Sequence, residues 1–405
     1  MRILIAHNGY QYRGGEDTVV EAEVELLRSH GHEVALYSVH NDEIERMPKV
    51  AAAMKAVWSG DTAREAGRLC DDFQPDVVHS HNTFPLISPS LYWTAARRGI
   101  PVVQTLHNFR LLCPQPIFLR DGKICEDCMG KLPWRSVVHR CYRDSAAQSA
   151  VVTGMLGVHR MLGTYRDKVT RYIALNRFAR DKYIEGGLPA DKIRIKPNFI
   201  PSATAPQWSG RRGGLYVGRL STEKGIGVLL QAAGRMERHA LEVVGSGPLE
   251  EQVRSGFGAA WLGHLSLEQI LRKMQDARYL VVPSICYENS PRTIVEAFSS
   301  GLPVIASRLG ALADIVNDGV TGLLFNPGDP ADLAAKMAWA DDHPEEMVRM
   351  GMAARAEYEA SYTPARNHEM LVSIYEDAIA TIRGKHYAAQ GTTGTGSVHR
   401  RTHVG

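Results

Sequence analysis

The stretch Glu288-Asn289-Ser290-Pro291-Arg292-Thr293-Ile294-Val295-Glu296 decides how the rest of this chain is read. A short apolar run, Tyr279-Leu-Val-Val-Pro283, leads into it, and a further segment leads out to Gly301. This order predicts a strand, a loop and a helix. Ser290 is the expected N-cap, Pro291 the first helical residue, where a missing N–H costs nothing, and Gly301 the left-handed stop. Such a helix start presents free N–H groups and the positive end of the helix dipole to an anion. Glu288 stands just before it and Glu296 more than a turn inside. Amides suit phosphate and carboxylates suit hydroxyls, so the pattern fits a nucleotide diphosphate joined to a polyol. Two surface acids near a helix start would share the spacing; the flanking order of strand, acid, cap, acid, glycine and strand carries the reading.

Working outward, short apolar runs alternate with helical periods at 3–6, 34–37, 76–79, 102–106, 172–175 and 193–195. A second series follows at 215–217, 242–244, 261–262, 279–282, 304–306 and 323–325. Continuous apolar strands separated by helices predict parallel sheets covered on both faces. The expected fold is therefore α/β, with two doubly wound Rossmann-like domains facing across a cleft. Residues 1–199 form the first domain, and the Pro-, Gly- and Ser-rich stretch 200–214 the linker. Residues 215–362 form the second domain, 363–385 a last helix, and the Gly- and Thr-rich stretch 386–405 a disordered tail.

With 405 residues, 44% hydrophobic and 22% charged, the chain is long enough for two separate cores. A net charge of +3 without aromatic–basic interleaving argues against nucleic acid as a partner. No signal-peptide core follows Met1, and no apolar run approaches the roughly 18 residues of a membrane span. A cytoplasmic protein is expected, with peripheral contact at the inner face of an anionic membrane as an option.

Arg219 and Lys224 fall in the turn after the first strand of the second series, beside Gly218 and Gly225. Fixed cations at a parallel strand's carboxyl end can stabilise a departing diphosphate without a metal. Gly245-Ser246-Gly247-Pro248 is either a tight turn or a ligand contact. Gly14-Gly15-Glu16 opens a helix after the first strand, but its glycines lack the dinucleotide-binding spacing.

Together these segments, with Glu223-Lys224-Gly225, Asp314-Ile-Val and Gly319-Val-Thr-Gly322, resemble the family 4 retaining glycosyltransferases of the two-domain GT-B fold. The Glu-x7-Glu segment is that family's mark. The resemblance is dense in the C-terminal half and looser before it. It implies a nucleotide-diphosphate sugar donor, no catalytic metal, and a glycan or lipid-linked acceptor. It also implies that Arg219 and Lys224 hold the diphosphate, Glu296 the ribose, and Glu288 the donor-sugar hydroxyls. Asn289 and Ser290 line sugar and phosphate, His107 lies near the sugar, and the loop of Gly14 and Gly15 approaches the diphosphate or acceptor. Residues from Leu262 to Leu265 surround the base, and the last helix crosses back onto the first domain. The text Asn-Ser-Pro-Arg after Glu288 departs from the family's usual Pro-Phe-Gly and leaves the sugar open. A nucleotide-sugar epimerase and a non-catalytic sugar-nucleotide-binding protein are the rival readings. Cell-envelope or exopolysaccharide assembly is the expected setting.

Four of the six cysteines cluster as Cys113-x11-Cys125-x2-Cys128-x12-Cys141, in a basic insert at about 110–143. A structural four-thiolate zinc site, packed free thiols and a redox disulfide all accommodate this spacing. The insert's basic residues, with Leu132 and Trp134, also suit either an anionic membrane or plain solvent.

Overall fold

A computed structural model describes residues 1–11, 14–200, 205–236 and 241–391, with side chains up to residue 384. The first sheet contains β1 (Arg2–Gly9), β2 (Glu33–His40), β3 (Val77–Asn82) and β4 (Val102–Thr105). After an antiparallel hairpin of β5 (Leu119–Arg120) and β6 (Lys123–Ile124), it resumes with β7 (Arg171–Ala174) and β8 (Ile193–Ile195). Its order is β2-β1-β3-β4-β7-β8, all parallel. The second sheet contains β9 (Gly214–Val217), β10 (Leu241–Val244), β11 (Tyr279–Val282), β12 (Val304–Ser307) and β13 (Gly322–Phe325). Its parallel order is β10-β9-β11-β12-β13.

Helices cover both faces of each sheet, so central strands such as β4, β7, β11 and β12 are buried at every residue. Each sheet reverses its strand order beside its first strand, between β1 and β3 and between β9 and β11. Loops diverge at these reversals and leave a crevice at the strands' carboxyl ends.

The expected strand at 261–262 is instead a single bridge between Val243 and Trp261. Leu262 N donates to Val243 O at 2.9 Å and Gly245 N to Gly263 O at 2.8 Å, but at Gly263, with φ +68°, the chain leaves the extended conformation. The expected linker, 200–214, runs up to β9, which starts at Gly214. Buried Arg211 donates to the carbonyls of Gln207, Met274, Ala277 and Ser300, which fastens this end of the segment to the second domain.

Helices Pro330–Asp342, Pro344–Ser361 and Pro364–Gly391 follow β13. The last packs Leu371, Ile374, Tyr375 and Ala378 into the core formed by Ile3, Ile5, Val20 and Val103 of the first domain. Arg171 grips Asp377 through two bonds of 2.7 and 2.8 Å. This helix runs past 385 to Gly391, through a stretch containing the good helix formers Ala388, Ala389 and Gln390. The rest of the expected tail lies outside the described residues.

Candidate active site

One pocket lies over both strand-order reversals. Gly15, Glu16, Val19 and His107 reach it from the first domain, and Gly218, Arg219, Lys224, Ser284, Glu288, Ser290 and Arg292 from the second. Two helix amino ends meet there. The helix Gly15–Ser29 starts after β1, with Gly14 as N-cap and Asp17 accepting Gly14 N–H at 2.7 Å. The helix Arg292–Ser299 starts after the Glu288 loop. A Cβ added to Gly15 would lie 3.7 Å from Arg292 Cδ, so the two starts nearly touch.

The cap of the second helix differs from the expectation. Pro291, not Ser290, holds the N-cap position, and no side chain caps it. Ser290 Oγ instead accepts from Asn198 Nδ2 at 3.2 Å. A serine engaged by the other domain is not available to cap its own helix. Gly301, just past the helix, has φ +63° as expected of a left-handed stop.

Lys224 Nζ lies 2.6 Å from Glu288 Oε1, which also accepts from Ser284 Oγ at 2.7 Å. Burial favours protonation of Glu288, but the charge of Lys224 and both hydrogen bonds outweigh it and hold the carboxyl below its ordinary range. Arg219 is on the exposed side of the pocket. Arg292 adds a third cation, 3.4 Å from Glu296 Oε1. Glu296 is buried behind it rather than on the pocket wall; burial raises its pKa and Arg292 offsets part of the rise.

The sequence reading did not assign roles to Glu16 or to the Arg292 side chain. Glu16 Oε2 accepts from Tyr10 OH at 2.8 Å. Burial, then the nearby Asp17 charge, push the Glu16 pKa up to about 8 against the Tyr10 bond and Arg110. Helix periodicity would have placed Arg292 and Glu296 on one face; nothing local marked Glu16 as buried.

Several of the expected residues make contacts within the protein. Asn289 joins the domains: its Nδ2 donates to Leu106 O at 2.6 Å, and its carbonyl accepts from Asn176 Nδ2. Asp314 of the second domain accepts the N–H groups of Arg177 and Phe178, at the start of a first-domain helix, at 2.8 and 3.2 Å. Gly247 shapes a turn: with φ +157°, a Cβ there would stand 2.6 Å from Leu220 O. Leu262 and Leu265 pack against the second domain's core. Gly14 and Gly218 stay at the loops, with Gly218 on the pocket wall.

His107 belongs to a buried chain. Its Nε2 is 2.9 Å from His81 Nδ1, and His81 Nε2 is 3.4 Å from Glu23 Oε2. Lys196 Nζ donates to Glu23 Oε1 at 2.6 Å. Among the described residues, Glu23, His79 and His81 form the sole group of three metal-capable side chains with ligand atoms within 4.8 Å of one another. Glu23 Oε2 and His81 Nε2 have no hydrogen-bond partner, but the other ligand atoms of the group are already engaged. Lys196 occupies Glu23, and His79 is bonded at both nitrogens, to Tyr375 OH at 2.7 Å and Thr105 Oγ1 at 2.8 Å.

Residues 14–198 match the glycosyl transferase 4-like domain, and residues 211–341 match glycosyl transferases group 1. The chain is 31% identical over 172 residues to the sulfoquinovosyl transferase SQD2 of Arabidopsis thaliana, covering 40% of this chain and 34% of that one. It is 28% identical over 365 residues to the phosphatidyl-myo-inositol mannosyltransferase of Mycobacterium leprae, covering 82% and 86%. The match thus spans a third of the first relative and most of the second. The solved structure of Anabaena Alr3699/HepE in complex with UDP superimposes with a TM-score of 0.63 at 16% identity, over 92% of this chain and 99% of that one. That likeness speaks to fold.

Paired parallel sheets with a pocket between their carboxyl edges define the GT-B architecture. The chain belongs to the glycosyltransferases, with a 4-like domain followed by a group 1 domain.

Proposed function

We propose that this protein is a retaining glycosyltransferase that moves a sugar from a nucleotide diphosphate to an acceptor hydroxyl, in envelope or exopolysaccharide glycan assembly. The observation that carries the reading is the convergence of Arg219, Lys224, Arg292 and two helix amino ends on one pocket that also holds Glu288. Charge develops on the diphosphate as the sugar leaves, and preorganised cations and amides lower that barrier. Glu288, kept ionised, accepts hydrogen bonds from donor-sugar hydroxyls. The diphosphate takes the acceptor's proton as attack proceeds on the leaving-group face, so no enzyme nucleophile is required. The interdomain bonds of Asn289 and Asp314 favour a closed cleft, which keeps water from the donor.

A lipid-linked acceptor at an anionic membrane is supported by exposed apolar side chains close in sequence to basic ones. Leu132, Trp134 and Val138 are 57%, 57% and 64% exposed, beside Lys131, Arg135 and Arg140 in sequence. No described helix is long and apolar enough to cross a membrane.

The experiment is a thermal-shift screen against UDP-, GDP-, ADP- and dTDP-sugars, followed by transfer assays with NMR of the new anomeric proton. A bound donor raises the melting temperature by mass action. An inverted product refutes retention. Conversion of the donor sugar without acceptor indicates an epimerase, and binding without turnover over a broad acceptor panel indicates a non-catalytic binder.

A further inference from the structure

The cysteine insert contributes none of the residues on the wall of the pocket described above. Its regular structure is slight: the β5–β6 hairpin, with two residues per strand, and the short helix Arg135–Val138. Its backbone is nevertheless held in conformations that residues with side chains avoid. Phe118, Asp121, Arg140, Arg143 and Asp144 have φ of 52°, 51°, 49°, 52° and 52°. Such geometry persists only where the surroundings over-determine it.

Cys113, Cys125, Cys128 and Cys141 line one small cavity, together with Arg120 and Arg135. The cysteines come from separate turns fixed by backbone bonds. Cys113 N donates to Phe109 O at 2.8 Å, Cys125 N to Phe118 O at 2.8 Å, and Cys141 N to Ser136 O at 2.9 Å. A further bond, Met129 N to Glu126 O at 3.0 Å, shapes the turn that carries Cys125 and Cys128.

We propose that these four cysteines bind a structural zinc ion as thiolates. Four cysteines with no carboxylate or imidazole on the cavity wall offer the soft thiolate ligands that zinc takes in four-coordinate structural sites. Zinc with four thiolates carries a net charge of about −2. Arg120 and Arg135 oppose it, sharing one carboxylate, Asp127, at 2.9 and 3.6 Å. Among the described residues no three of these sulfurs stand within 4.8 Å of one another. Zn–S bonds of about 2.3 Å would bring them to roughly 3.8 Å apart. Binding the ion would require the cysteine side chains to turn into the cavity they already line.

The ion would also steady the active site. Cys125 is bonded to Phe118, whose ring lies 5.7 Å from the ring of Tyr287, the residue before Glu288. A stapled insert is the wall against which the Glu288 loop rests.

The test is elemental analysis of the untagged, full-length protein purified without chelators, with about one zinc per chain expected. Cys125→Ser/Cys128→Ser should lose the metal and become protease-sensitive across the insert, whereas Cys70→Ser and Cys286→Ser should keep it. Should the double variant fail to fold, the wild type titrated with a mercurial must release zinc as insert thiols react. A metal-free wild type overturns the proposal, as does a disulfide among the four. Zinc retained by the folded double variant, or released without thiol modification, also overturns it and directs attention to Glu23, His79 and His81.

Discussion

His107 Nε2 and His81 Nδ1 lie 2.9 Å apart, and the far nitrogen of His81 faces Glu23 at 3.4 Å. No hydrogen bond joins His81 Nε2 to Glu23, but the nearby carboxylate charge favours the His81 proton on Nε2 and leaves Nδ1 bare. His107 then donates from Nε2, which leaves its own Nδ1 as an acceptor. Burial, the largest influence, lowers the His107 pKa to about 3 and keeps the ring neutral. Nitrogen-15 NMR should show His107 as the Nε2–H tautomer from about pH 6 to 8. The opposite tautomer, or a ring that titrates in that range, would contradict the chain.

Acid should destabilise the fold earlier than carboxylates alone would dictate. Burial holds His79, His81 and His107 below their ordinary value of 6.5. The unfolded chain therefore binds more protons below about pH 6.5. This contribution is complete above that value and is lost as pH falls toward the folded pKa values. Each neutral ring accounts for up to about 1.4 kcal/mol per pH unit. Urea midpoints should fall between about pH 7 and 5; a flat profile would count against buried neutral rings.

Arg219→Ala and Lys224→Ala should each lower kcat/KM by roughly 100-fold, the order seen when one charge-stabilising donor is lost. Lys224→Ala should also move the acid limb of the pH–rate profile upward, because Glu288 loses the charge that offsets its burial. Near-normal turnover in both variants would remove the diphosphate assignment.

Glu16, with a pKa of about 8, is largely protonated at neutral pH. Activity is expected to decline as pH rises through about 8, when a negative charge appears beside the proposed diphosphate site. Glu16→Gln mimics the protonated acid and should retain activity at neutral pH while abolishing that decline. A variant inactive at every pH would assign Glu16 another role.

Three cations and two helix starts supply positive potential at the pocket, so transfer should continue after brief EDTA treatment. Activity lost on chelation and restored by Mg²⁺ or Mn²⁺, but not by Zn²⁺, would contradict a metal-independent donor step.

Local sequence announced most of the fold. Apolar runs four or so residues long, punctuated by glycine and proline, marked the sheet strands because a strand buried on both faces needs apolar residues throughout. It missed at 261–262, where two apolar residues looked like a strand but could add only one bridge. Arg219, Lys224 and Glu288 were visible because the carboxyl end of a parallel strand is a place, and sequence order fixes it.

Other relationships needed the folded chain. Ser290 resembled a cap until Asn198, 92 residues earlier, took its hydroxyl. Asn289, expected to line the donor with its amide, has a side chain that holds Leu106 of the opposite domain. Glu23 and Lys196 meet without exposure to water, yet 173 residues separate them. By itself the sequence determined which segments become strands and helices, and which loops emerge at the strand ends, because propensity and periodicity act over a few residues. Only the tertiary structure decided which side chains lose water together, because desolvation and charge pairing depend on distance in space and not along the chain.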